Sequence, residues 1–181
     1  MTTVFIGGSR AVSRLNAIVR EKLDDLIQKG CTILIGDANG ADRAVQQHFA
    51  NRGYRKVIVY CMDRCRNNAG NWELRPISSA TAKRDFSYFA QKDLVMAREA
   101  RCGVMFWDGK SKGTLNNIHN LLHDRKKVLV YLSTHKVFHK LSDEIDLKTL
   151  LAQCNREQID LAHRALDNSD ASLHRRQMSL T

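Results

Sequence analysis

The 181-residue chain holds 43% hydrophobic residues and carries 29 Lys and Arg against 19 Asp and Glu, a formal charge of +10. That is enough apolar material for one well-buried core plus a tail, since domains usually hold roughly 100–150 residues. No apolar run reaches the roughly 18 residues of a membrane span, and no charged start leads into an apolar stretch, so neither a spanning helix nor a secretion signal is expected.

The chain opens on 3-TVFI-6, an apolar run that stops at Gly7 and Gly8 and reads as a buried strand ending in a turn. Val12, Leu15, Ile18, Val19, Leu23, Leu26 and Ile27 then keep helical spacing up to Lys29-Gly30, a basic last turn and a glycine stop. The unit recurs as strand 32-TILI-35 with a helix from Ala41 to about Asn51, and a third strand follows at 56-KVIVY-60. Residues 61–88 are polar, hold the single proline, and are too long for a tight connection; loops of that length are usually functional or mobile. Periodicity resumes from Phe89 to Glu99, then 103-GVMFW-107 reads as a strand, 114-TLNNIHNLLHD-124 as a helix and 127-KVLVYL-132 as a fifth strand. Five short strands alternating with helices predict an α/β fold, a Rossmann-like open parallel sheet with helices on both faces, because parallel strands need crossovers and those cover the sheet. Residues 1–134 form the predicted domain with the 61–88 insert, 135–166 a C-terminal helical extension and 167–181 a polar tail expected to fray.

Open parallel sheets bind ligands outside the carboxyl ends of their strands. Three loops lie there. In the first, Gly7 and Gly8 permit close backbone approach while Ser9 and Arg10 stand at a helix entrance; either an anion site or a plain turn with a serine cap fits. In the second, 36-GDANGAD-42, Gly36 and Gly40 bracket Asp37, placed to accept ribose hydroxyls or to cap a turn, and Asp42 lies in the first helical turn. In the third, Gly109, Ser111, Gly113 and Thr114 precede a helix carrying Asn117, and backbone donors with hydroxyls at a helix start suit a phosphate. Neither the dinucleotide fingerprint nor a P-loop lysine follows the first strand, and no cofactor is expected. Cys61 and Cys65 offer two sulfurs where zinc takes about four ligands, so no metal is expected either. With Cys31, Cys102 and Cys154 the cysteine count is odd, which fits a reduced, cytoplasmic protein.

Together 7-GGSR-10, 36-GDANGAD-42, 92-KDLVM-96 and 107-WDGKSKGT-114 resemble the SLOG superfamily, the Rossmann-like group that includes the LOG phosphoribohydrolases and the DprA-type DNA-processing proteins. The resemblance spans roughly residues 3–132 and is greatest to the branch with GSR, GxAxGAD and WDGxSxGT motifs. It implies a nucleotide or nucleotide-derived ligand between the glycine loops, often in a homodimer. LOG enzymes cleave the N-glycosidic bond of nucleoside 5′-monophosphates with an Arg and a Glu; the Arg position falls on Lys92 and the Glu position on Asn117. An amide neither carries charge nor takes a proton at neutral pH, so hydrolysis here would need Asp93, Asp37 or Asp108. Nucleotide binding or sensing is therefore expected first and N-glycoside hydrolysis second. Single-stranded nucleic-acid binding comes third, motivated by the positive charge and by Trp72 and Tyr88 as stacking aromatics, although the basic residues form no stripe along one element.

Overall fold

Successive side chains of a strand point to opposite faces, and in TVFI both faces are buried: Val4 and Ile6 enter one apolar core and Phe5 the other. The computed structural model describes residues 1–78 and 86–154. In chain order these form β1 (Thr3–Gly8), α1 (Ala17–Gln28), β2 (Thr32–Gly36), α2 (Ala41–Asn51), β3 (Val57–Met62), β4 (Glu73–Ile77), α3 (Phe86–Glu99), β5 (Cys102–Trp107), α4 (Lys112–His123), β6 (Val128–Leu132), β7 (Val137–Leu141) and α5 (Glu144–Ala152). The strands make one seven-stranded sheet in the order β4-β3-β2-β1-β5-β6-β7. All neighbours are parallel except β7, which returns antiparallel to β6.

Helices α1 and α2 bury Val19, Leu23, Val45 and Phe49 against the face that holds Ile6, Ile35 and Phe106. On the opposite face α3, α4 and α5 bury Met96, Leu115, Ile118, Leu147 and Leu151 with Phe5, Met105 and Trp107. From β1 the chain winds outward through β2, β3 and β4, then returns to the far side of β1 as β5. The loops leaving β1 and β5 therefore part at a topological switch point, where such sheets open a crevice.

Each of the five expected strands is present, and two more complete the sheet. β4 (73-ELRPI-77) is an edge strand with mostly exposed or half-buried side chains, so it lacks an apolar run, and an edge tolerates Pro76, which has no N–H to donate. β7 stands at the other edge, inside the 135–166 segment expected to be helical; among the described residues of that segment α5 supplies the helix, over Glu144–Ala152. Residues 155–166 of that extension and the 167–181 tail lie outside the described residues. The 61–88 insert is likewise not a loop throughout, since it contains β4 and the start of α3.

Helix α1 also begins later than the apolar spacing implied. Asn16 caps it, its side chain accepting from the Val19 N–H at 3.0 Å. Val12 and Leu15 are core-facing residues of the preceding loop, and that is why they matched a helical period. Ser9 and Arg10 consequently do not stand at a helix N-terminus.

Close packing at the switch point explains Gly8. A Cβ there would lie 2.5 Å from the Phe106 carbonyl oxygen and 2.8 Å from the Ala41 Cβ. Gly8→Ala is expected to cost roughly 1–3 kcal/mol through overpacking. A lowered urea midpoint at unchanged slope would register this; an unaltered midpoint would show that the β1 and β5 loops separate freely.

Candidate functional site

A cleft of about 550 Å3 lies at the carboxyl ends of β1, β2 and β5, and its lining includes Gly7, Gly8, Arg10, Gly36, Asp42, Lys92, Asp93, Asp108, Ser111, Gly113, Thr114 and Asn117. Of the other residues expected there, Ser9 is buried, Asp37 faces an adjoining hollow, Gly40 caps α2 beside a separate groove, and Gly109 belongs to the turn after β5.

The wall after β5 is organised by Asp108. Its Oδ1 accepts from the Ser9 hydroxyl at 2.9 Å, the Lys110 N–H at 3.0 Å and the Ser111 N–H at 2.8 Å. One carboxylate oxygen thus holds the turn and ties the β1 loop to it, so Asp108 acts as a clamp within the chain. Ser9 completes the tie through Thr114, the two hydroxyl oxygens lying 3.3 Å apart. Ser111 caps α4, its Oγ accepting from the Thr114 N–H at 3.4 Å. Among the described residues the N–H groups of Lys112 and Gly113 carry no hydrogen bond, leaving donors at the positive end of a 12-residue helix beside the cleft.

The floor is charged and buried. Lys92 Nζ donates to Asp93 Oδ1 at 2.6 Å, and the Asn117 amide donates to Asp93 Oδ2 at 3.1 Å. Burial works against the Lys92 ammonium, but the charges of Asp93, Asp42 and Asp37 outweigh it and hold its pKa above the ordinary lysine value. Asp42, itself buried, accepts from the Ala38 N–H at 3.1 Å. Desolvation pushes its carboxyl up to about 7, against the opposing pull of Lys92. Gly36 leaves room for this arrangement: a Cβ there would lie 2.5 Å from Asp42 Oδ2 and 2.7 Å from Lys92 Nζ. Asn117 is 5% exposed, and its Oδ1 has no partner.

Residues 61–72 deliver a further cation. Gln46, fully buried on α2, donates to the Gly36 and Asn67 carbonyls at 2.8 and 3.2 Å and accepts from the Ala69 N–H at 3.0 Å, stitching this segment to the end of β2. Arg66 then reaches back to Asp37 with Nη2–Oδ1 2.7 Å and Nε–Oδ2 3.0 Å, while its own N–H donates to Oδ2 at 3.1 Å. Burial raises the Asp37 pKa, but these bonds, the Arg66 charge and Lys92 together bring it below the usual carboxylate range. Asp37 is therefore the anchor of Arg66. The guanidinium also lies 5.2 Å from the Phe89 ring centroid, and Phe86 and Phe89 both line the cleft.

Arg66, Phe86 and Phe89 were missed from the sequence; the signal available was the unusual length of the connection that carries Arg66. Trp72 and Tyr88, the aromatics expected to stack bases, are buried instead. The Trp72 indole N–H donates to the Tyr54 carbonyl at 2.8 Å, and the Tyr88 hydroxyl is hydrogen-bonded to Asp63.

An open, mostly parallel sheet with helices on both faces and a cleft at its switch point defines a Rossmann-like α/β protein. No helix among the described residues is long and apolar enough to cross a membrane. No family model and no curated protein matches the sequence. A solved structure of DNA processing protein A from Helicobacter pylori, studied for its single-stranded DNA binding mode, matches with a TM-score of 0.58 at 15% identity, covering 92% of this chain and 81% of that one. At that identity the likeness is one of fold.

Proposed function

We propose that this is a SLOG-type protein that binds or senses a nucleotide or nucleotide derivative in the cleft at the switch point, as a homodimer in the cytoplasm. The observation that carries the reading is the buried, unpartnered Asn117 Oδ1 lining the cleft, on the same helix whose first-turn N–H groups are free beside it. A buried acceptor without a donor costs roughly 1–3 kcal/mol, which a ligand hydroxyl or amino group recovers on binding. The N–H groups of Lys112 and Gly113 suit the phosphate, Phe86 and Phe89 suit a base, and Asp93 with Asn117 supplies acceptors for a sugar. Isothermal calorimetry against ribo- and deoxyribonucleoside monophosphates, cyclic nucleotides and ADP-ribose tests it. Binding by at least one class is expected, and Asn117→Ala is expected to weaken it on the order of tenfold, in keeping with the loss of one buried hydrogen bond. Failure of every ligand to bind would sink the reading.

A second reading, hydrolysis of the N-glycosidic bond of a nucleoside 5′-monophosphate, draws on Asp93. Its carboxylate lies 3.1 Å from the Asn117 amide, so α3 supplies a carboxylate beside the α4 position where the LOG motif has its Glu. Asp37 and Asp108 are committed to Arg66 and to the β5 turn; Asp93, which accepts from Lys92 and Asn117, lines the cleft beside the α4 position of the LOG motif and is the catalytic candidate. Release of free base from AMP, dAMP, CMP or dCMP, abolished in Asp93→Asn, is the expected result for this reading; release unaffected by the substitution removes Asp93 from it.

A further inference from the structure

The stretch 61-CMDRC-65 brings two sulfurs together beside the cleft. Cys61 lies buried near the end of β3, and the chain then bends through Asp63, whose φ of 38° is left-handed. The bend returns Cys65 to within hydrogen-bonding reach of the Cys61 thiol. Cys65 is half-buried and lines a hollow of about 430 Å3 with Asp63, Arg64 and Arg66, so solvent reaches it where Cys61 is covered. Neither sulfur is in a disulfide. The Cys65 thiol also donates to the Asn67 carbonyl oxygen at 3.3 Å, the oxygen that accepts from Gln46. Between Cys65 and Asn67, Arg66 places its guanidinium and its backbone N–H on Asp37 and lines the cleft. The dithiol thus sits at the root of the segment that delivers Arg66.

We propose that Cys61 and Cys65 form a modification site for a low-molecular-weight disulfide, and that their closure into a disulfide loosens Arg66 and weakens what the cleft binds. The chemistry balances in two exchanges. The Cys65 thiolate attacks one sulfur of the disulfide RSSR, forming a bond from Cys65 to SR and expelling RS−, which takes up the Cys65 proton. The Cys61 thiolate then attacks the Cys65 sulfur, forming the bond between the two cysteines and expelling the second RS−, which takes up the Cys61 proton. The protein gives up two electrons and two protons, and RSSR leaves as two RSH. Burial pushes the Cys61 thiol up to about 11, and burial and the Asp37 charge raise Cys65. Both therefore stand as thiols at neutral pH, and closure answers to a sustained excess of disulfide. Closing replaces a hydrogen-bonded sulfur pair by a covalent one, which draws the sulfurs together, and removes the hydrogen that Cys65 gives to Asn67. Both changes act on the turn that holds Arg66 against Asp37. The exchange chemistry stands apart from any ligand, whereas its effect on binding rests on the reading of the cleft as a nucleotide site.

The test equilibrates the full chain without oxygen in glutathione buffers of rising disulfide content, alkylates the remaining thiols and maps the links by mass spectrometry. The link between Cys61 and Cys65 is expected to form before any other, with Cys31, Cys102 and Cys154 still alkylated, and to reopen in dithiothreitol. Hydrogen exchange reads the structural effect: the Arg66 and Ala69 amides, bonded to Asp37 and Gln46, should exchange on the order of tenfold faster in the closed form. Cys65→Ser should lose both responses and keep the slow exchange of the reduced wild type, since a hydroxyl replaces the thiol as donor to Asn67. Nucleotides that bind the reduced protein should bind the closed form on the order of tenfold more weakly, with dithiothreitol restoring the affinity. A mixed disulfide that stays on Cys65 without passing to Cys61, a link that forms first elsewhere, or unchanged exchange at Arg66 and Ala69 each overturns the proposal. Equal nucleotide affinity in the two forms overturns it alone and leaves the cleft reading standing. A closed link that frees Arg66 while no nucleotide binds either form sinks the cleft reading and leaves the modification site.

Discussion

Asp42→Asn is expected to stabilise the protein at pH 8 by about 2 kcal/mol and to flatten a pH slope that the wild type shows between roughly pH 4 and pH 7. Burial raises the folded-state pKa of Asp42 from 3.8 to about 7, Lys92 opposing. Below the lower value both folded and unfolded chains hold the proton, and this group contributes no slope. Between the two the folded chain keeps a proton the unfolded chain has released, so the contribution of Asp42 falls as pH rises. Above about 7 the loss is complete. Asparagine keeps an oxygen for the Ala38 N–H and carries no charge to bury, while Lys92 retains Asp93 as its partner. Urea midpoints for both proteins at pH 4.5, 6 and 8 check it. Parallel profiles would mean that water or local rearrangement solvates the Asp42 carboxylate in the folded state.

The fold was legible where burial writes a pattern. The strands β1, β2, β3, β5 and β6 are apolar because helices cover both faces, and each was readable as a short continuous run. Edge strands β4 and β7 expose part of their side chains and have a sheet neighbour on one side only, so 73-ELRPI-77 and 137-VFHKL-141 carried no such pattern. The loop before α1 misled in the opposite direction, because Val12 is buried and Leu15 partly buried without being helical.

The site was legible as loops and not as roles. Three glycine-bearing segments do meet around one cleft, as their positions at strand ends implied. What each carboxylate holds depends on contacts between residues far apart in the chain, such as Arg66 with Asp37 or Ser9 with Asp108, and no local pattern encodes those pairings. Three acids that looked equivalent in the sequence thereby separate into an anchor for Arg66, a clamp for the β5 turn, and Asp93 beside Asn117 in the cleft.

Removing Arg66 tests the anchor. Arg66→Ala is expected to cost about 3 kcal/mol at neutral pH, the lower end for breaking a buried pair because the guanidinium itself is partly exposed. Asp37 is 1% exposed and would keep its carboxylate with the bidentate donor gone. In the wild type its folded-state pKa is depressed, so the stability it contributes is present above the ordinary carboxylate value and lost as pH falls through the lower folded one. Without Arg66, burial dominates and raises that pKa, so the variant loses stability as pH rises. The deficit should therefore be greatest near pH 7 and shrink toward pH 4, and a deficit independent of pH would mean that Arg66 acts through packing on Phe89 alone. Arg66→Lys should recover part of the loss, since one ammonium does not reproduce the forked contact with both carboxylate oxygens. Asp37→Asn placed on the Arg66→Ala background should recover more, because a neutral amide needs no counter-ion. Recovery by the second substitution, at neutral pH and without Arg66, would locate the cost in the unpaired charge of Asp37.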